Sequence, residues 1–135
     1  MSKYENLPAN ALLLAAAIRG DRNEEIRQMI DEAGLERETA LAEAGAFMTA
    51  HGIKDRETYL AFRNALRAEL RDLAAKIRVE KTIFRMIDGN HADYWTHCKA
   101  LRELRRDFQL SHDARRLSKA WAGVQMEEAR AAAAA

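Results

Sequence analysis

Apolar residues recur along this chain at the three- and four-residue spacing of helices, and the longest such pattern runs from Asp55 to Asp88. That stretch of about 33 residues holds no Pro or Gly, and Gly89 follows it directly. With Tyr59 taken as a d position, the seam reads Tyr59, Arg63, Leu66, Leu70, Leu73, Ile77, Glu80, Phe84 and Ile87. The two polar positions, Arg63 and Glu80, are expected to reach solvent, to pair with charges on a neighbouring helix, or to mark a docking point. Phe62 is placed to cover part of the gap at Arg63. A helix of this length spans roughly 50 Å, more than a globule of this size is wide. It should therefore set the shape of the molecule.

Shorter patterns surround it. A first helix is predicted from near Pro8 to Arg19, stopping at Gly20, with Pro8 in its first turn. Asp21 and Glu24 are expected to cap a second, Arg22 to Ala33, closed by Gly34 and burying Ile26, Met29, Ile30 and Ala33. A third, about Glu36 to Ala50, presents Leu41, Ala44, Phe47 and Met48 before Gly52. Asn90, reinforced by Asp93, is predicted to cap a fifth helix, Ala92 to Gln109, with an inward stripe of Tyr94, Cys98, Leu101, Leu104 or Arg105, and Phe108. Ser111 reads as the cap of a last helix from His112, with Leu117, Ala120, Trp121, Val124 and Ala129 inward. The alanines 131–135 either extend that helix or fray. Connectors of two or three residues at Gly89–Asn90 and Leu110–Ser111 predict antiparallel neighbours.

The predicted fold is thus a single all-α domain, 1–135, a bundle of about six helices built on one long central helix. Residues 53–135 form an antiparallel three-helix unit, and residues 1–52 form a cap of short helices. Composition agrees: 48% of residues are hydrophobic, 32% charged, and there are six Gly and one Pro. A single cysteine, Cys98, excludes an intrachain disulfide. The eight-residue apolar run Ala11 to Ile18 lies behind Lys3, but Glu5, Asn6, Asn10 and its shortness argue against a secretory leader. No run approaches the ~18–20 apolar residues of a membrane span. Cytoplasmic localisation with no membrane partner is the expectation.

Reactive constellations are not evident. His91, His97, Cys98 and His112 lie close in sequence, yet adjacent His97 and Cys98 point about 100° apart on a helix, and no HxxxH, HExxH, CxxC or ExxH pair occurs. Asp93 and His97 have the spacing of a local ion pair. Cys98 falls on the apolar stripe, where an inert thiol is the default. Phosphate-binding glycine loops and nucleophile elbows are missing as well. No catalytic residue, metal or cofactor is predicted.

Charge changes the picture more than chemistry does. The chain has net charge +1, but residues 1–50 hold five Lys/Arg against nine Asp/Glu (−4), and residues 51–135 hold seventeen against twelve (+5). Arg71, Arg78 and Arg85 repeat every seven residues on one side of the long helix, flanked by Arg63, Arg67 and Lys81. Residues 99–119 add Lys99, Arg102, Arg105, Arg106, Arg115, Arg116 and Lys119 against three acids. Arginine forks suit carboxylates and phosphates. The bland alternative is a solvated face in which Glu69, Asp72, Glu80, Glu103 and Asp107 neutralise the arginines. Trp95, next to the inward Tyr94, is expected at a helix crossing or exposed as an interface anchor. The third helix, carrying Glu36, Glu38 and Glu43, would repel phosphate and makes a poor DNA-recognition helix.

The candidate partner-binding residues are Arg67, Arg71, Arg78, Arg85, Trp95, Arg102, Arg105 and Arg106. The expected function is a non-enzymatic protein–protein interaction module of the phage or plasmid accessory type, such as an inhibitor of a host or defence complex. A nucleic-acid-binding protein using the arginine strip and residues 102–116 is the alternative. A homodimer through the long-helix seam is a third reading.

Overall fold

The computed structural model describes residue 4 and residues 7–135; Lys3, Glu5 and Asn6, which bear on the leader reading, lie outside the described residues. Five helices follow one another: α1 (Ala11–Arg19), α2 (Glu24–Ala33), α3 (Arg37–Ala50), α4 (Arg56–Met86) and α5 (Tyr94–Ala134). The long predicted helix is α4. Its start is fixed by a capping box: Asp55 Oδ1 accepts from the Thr58 amide at 2.8 Å, and Thr58 Oγ1 accepts from the Asp55 amide at 3.0 Å. These bonds hold the Asp55 carboxyl below its ordinary pKa.

α4 and α5 form an antiparallel hairpin. Near its tip the Phe84 and Tyr94 rings lie 5.0 Å apart, and one turn further Glu80 meets His97 at 2.9 Å. Further from the tip Leu66 and Leu70 join Ala114 and Leu117 in the core. The predicted seam is therefore real, but the partner that fills it is one helix rather than two. Residues 94–134 run as a single helix of 41 residues, and Ser111 caps nothing. Its side chain is fully buried in mid-helix, and its hydroxyl has no hydrogen-bond partner. Serine costs a helix interior only about 0.5 kcal/mol relative to alanine, and no Gly or Pro stands nearby to break the pattern. Ser111, Ala114 and Ser118 instead make a buried strip of small side chains on α5. Buried alanines 11 and 15 of α1, with 40 and 44 of α3, belong to the same core. Small residues let helix backbones approach closely.

The expected three-helix unit is thus a two-helix hairpin with the N-terminal helices packed on the later half of α5. α1 packs against α5 and α3, α3 also touches α5, and α2 touches only α1. The latter explains a second correction. Within α2 no residue is fully buried; Ile26 and Ile30 are half-covered, and Met29 and Ala33 are exposed, because nothing lies beyond that face. α5 also outlasts its neighbours. From Gln125 onward every residue is exposed, Ala129 included, and the alanines to 134 continue the helix.

Three start signals also differ from expectation. Asn23, not Asp21 with Glu24, caps α2 by accepting from the Glu25 amide at 3.0 Å, and Asp21 braces Asn23 by accepting its amide at 2.9 Å. Asn90 sits in the connector, donating to Asp88 Oδ1 at 2.9 Å, and α5 begins four residues later behind Asp93. Pro8 precedes α1 rather than opening it, and its carbonyl accepts from the Ala11 amide at 3.0 Å. The helix ends hold: Gly20 and Gly34 take left-handed φ of 68° and 67°, which a side chain would strain.

At the base of α4, Tyr4, Phe47, His51 and Phe62 pack their rings in tilted and T-shaped pairs at 4.4 to 6.5 Å between centroids. Burial, with Glu69 nearby, pushes the Tyr4 hydroxyl up to about 12, and burial lowers the proton affinity of His51.

Two outcomes follow. Ser111→Ala should hold or raise stability, by up to about 1 kcal/mol in urea denaturation, because it removes an unpaired buried hydroxyl; a helix cap would instead lose about that much. The His51 imidazole binds its proton less tightly in the folded chain than in the unfolded one, and so does His112. Stability is then full above the ordinary histidine pKa of ~6.5 and lost as pH falls through the lowered folded values. The urea midpoint should drop between about pH 7.5 and pH 5, and His51→Gln should flatten that drop.

Candidate interaction surface

The heptad geometry of α4 sorts its charges. Arg63, Arg67, Arg71, Arg78, Lys81 and Arg85 fall along one flank of the buried seam, and Glu69, Asp72 and Glu80 along the other. Two of these acids are occupied by partners other than the arginines. Asp72 pairs with Lys76 at 2.9 Å, and Glu80 with His97 at 2.9 Å. His97 therefore bonds across the hairpin to Glu80 rather than within its helix to the Asp93 carboxylate. Among the described residues, the third ion pair is Arg19–Asp21, so the arginine flank is not internally neutralised.

Where that flank meets α5 there is an open groove of ≈ 580 Å³. Its floor is Phe84, Leu101 and the half-buried Cys98; its walls are Lys81 and Arg85 from α4 and Arg102 and Arg105 from α5. The structure thus brings together three predicted residues, Arg85, Arg102 and Arg105, from segments about twenty residues apart. No carboxylate lines the groove. Arg71 and Arg78 are exposed on the α4 side, and Arg106 is exposed without lining the groove. Arg67 lies farther down, in a depression that also includes Arg63, Arg115 and Lys119. Arg63 has its Nε buried there without a partner. Trp95 is 73% exposed near the hairpin tip, with its ring in a T-shaped contact with Tyr94 at 5.2 Å between centroids. Met86 and Val79 are exposed at heptad spacing on the Asp72 flank of α4, away from the groove.

Comparison with protein-family models, curated proteins and solved structures finds no match. The reading rests on the geometry.

Sequence reasoning missed one cluster. Farther along the same stripe of α5, Arg19, Arg37, His112, Arg115, Arg116 and Lys119 line a cleft of ≈ 650 Å³ closed by α1. Burial and then the Arg116 charge lower the His112 pKa, Arg115 adding and Asp113 opposing. Arg19 and Arg37 are isolated cations in an acidic half of the chain, so only the tertiary packing of α1 reveals the cluster. Among the described residues no three His, Cys, Asp or Glu side chains converge as metal ligands would, and no helix is long and apolar enough to cross a membrane.

The Glu80–His97 bond is partly shielded from water, with side chains 20% and 25% exposed. Glu80→Lys should lower stability by about 1–2 kcal/mol in urea denaturation, whereas Asp72→Lys, at a pair open to solvent, should change it by less than about 0.5 kcal/mol.

Proposed function

We propose that this protein is a non-enzymatic helical interaction module whose α4–α5 groove takes an acidic, partly apolar segment of another protein. The observation that carries the reading is the combination in one groove of an apolar floor, Phe84 and Leu101, with four cations and no acid. An amphipathic segment satisfies both halves of such a surface: its apolar side chains cover the floor and its carboxylates meet the arginine forks. Exposed Trp95 near the same end of the hairpin adds contact area of the kind that anchors interfaces. An accessory or inhibitory role belongs to the same proposal, since a groove that holds an acidic segment withholds it from other partners.

Nucleic acid is the second reading. It is favoured by the exposed row Arg71, Arg78 and Arg85, which presents a cation roughly every 10 Å along α4 independently of the groove floor. A homodimer through the α4 seam fits less well, because Leu66, Leu70 and Leu73 are already buried within the chain.

The experiment compares two labelled probes by fluorescence anisotropy: an acidic amphipathic peptide and a single-stranded oligonucleotide. The peptide should bind more tightly. An Arg85→Glu, Arg102→Glu double variant should bind it at least about tenfold more weakly with helical content unchanged. Preference for the oligonucleotide, with affinity falling steeply between low and physiological salt, transfers the reading to nucleic acid. Failure of both at low salt removes it.

A further inference from the structure

The cleft between α1, the first turn of α3 and the later half of α5 is separate from the α4–α5 groove and has the character of a small-ligand site. Three elements converge on it with cations: Arg19 ends α1, Arg37 opens α3, and Arg115, Arg116 and Lys119 come from successive turns of α5. Its volume, ≈ 650 Å³, is that of a ligand pocket. Ile18, Ala120 and Val124 supply an apolar base.

The cations are not equivalent. Arg37 is fixed in place, its Nε donating to the Ile18 carbonyl at 3.2 Å, which leaves both terminal amino groups for a ligand. Arg19 shares its charge with Asp21 at 3.3 Å. Arg115, Arg116 and Lys119 have no ion-pair partner among the described residues. Glu127 is the one carboxylate on the lining. Five cations against Glu127 and Asp21 leave a surplus of three positive charges. One terminal phosphate carries about −1.5 to −2, so two or three linked phosphates match that surplus. Guanidinium forks arriving from three directions suit the several oxygens of such a group better than one carboxylate.

We propose that this cleft binds a small molecule bearing two or three linked phosphates, of the kind a nucleoside di- or triphosphate carries. The phosphates lie among Arg37, Arg115, Arg116 and Lys119, and the rest of the ligand covers the apolar base. His112 reports occupancy. The charged groups around it are Arg115, Arg116, Lys119 and Asp113 on α5, Arg19 on α1 and Arg37 on α3, with Glu127 farther along the cleft. Burial and the neighbouring arginines disfavour its proton. Bound phosphates offset those arginines, so its proton affinity rises.

The test uses the full chain and inorganic tripolyphosphate, with calorimetry for affinity and NMR for the His112 ring titration. The expected result is saturable 1:1 binding, an upward shift of the His112 midpoint, and affinity lower by about tenfold in Arg116→Glu and in Lys119→Glu. Both residues are exposed, so both variants should keep their helical content, as circular dichroism would check. Lys99→Glu, exposed on α5 outside the cleft, should bind as the wild type does. Absence of binding, an unmoved His112 midpoint, or an equal loss in Lys99→Glu overturns the proposal. Binding of a single-stranded oligonucleotide but not of tripolyphosphate also overturns it, assigning the cations to a polymer backbone.

Discussion

Every surface in this molecule depends on α5 passing unbroken through its own middle. At Ser111, Ala114 and Ser118 the helix is walled in, and side chains larger than these would hold its neighbours away. Continuity there does two things. It keeps the register of the α4 hairpin, from Tyr94 against Phe84 down to Leu117 in the shared core with Leu66. It also carries the α5 surface beyond that hairpin to where α1 and α3 pack. A break at Ser111 would let the two halves turn independently, and neither the groove nor the cleft would keep its walls.

Charge sorting follows from the same frame. Because the α4 seam is buried at Leu66, Leu70 and Leu73 and half-buried on either side of them, its neighbours are sorted onto separate flanks. Acids on one flank find partners at once, Asp72 with Lys76 and Glu80 with His97. Arginines on the other flank meet α5 where it presents Arg102 and Arg105, so like charges face each other across the groove. Such an arrangement costs self-repulsion, and it lowers the stability of the free chain relative to one with paired flanks. An anionic partner relieves that repulsion on binding. This is the physical reason to read the groove as a surface for an anion rather than as ordinary solvated charge.

The sequence pattern made some of this legible and hid the rest for identifiable reasons. The start at Asp55 is a local signal and the seam from Leu66 to Leu73 one repeated over several turns, and the structure follows both. Glu80 stood out as a polar seam residue with three outlets, solvent, a partner on another helix or a docking point, and it pairs with His97 across the hairpin. Ser111 misled because its preference for a cap is local, worth about 1 kcal/mol, whereas burial of Leu101, Ala114, Leu117 and Val124 along one continuous helix outweighs it. Met29 and Ala33 show the converse. Periodicity gives an amphipathic face, but only the neighbours decide whether it is covered. The α1–α3–α5 cleft was invisible because Arg19, Arg37 and His112 are separated by eighteen and seventy-five residues and lie on three different elements.

The groove and the cleft are both basic, yet distance separates them electrostatically. From Arg102 to Arg116 is fourteen residues of straight helix, roughly 21 Å. At physiological ionic strength fields decay over about 8 Å, so an anion in the cleft barely alters the potential at Arg85 and Arg102. Arg115 and Lys119 are different, for they line both the cleft and the shallow depression beside Arg63 and Arg67. An anion held by those two side chains in the cleft removes them from the depression. Ligands at the hairpin tip and on the α1 side would therefore not compete, and competition is confined to Arg115 and Lys119, which the cleft and the depression share.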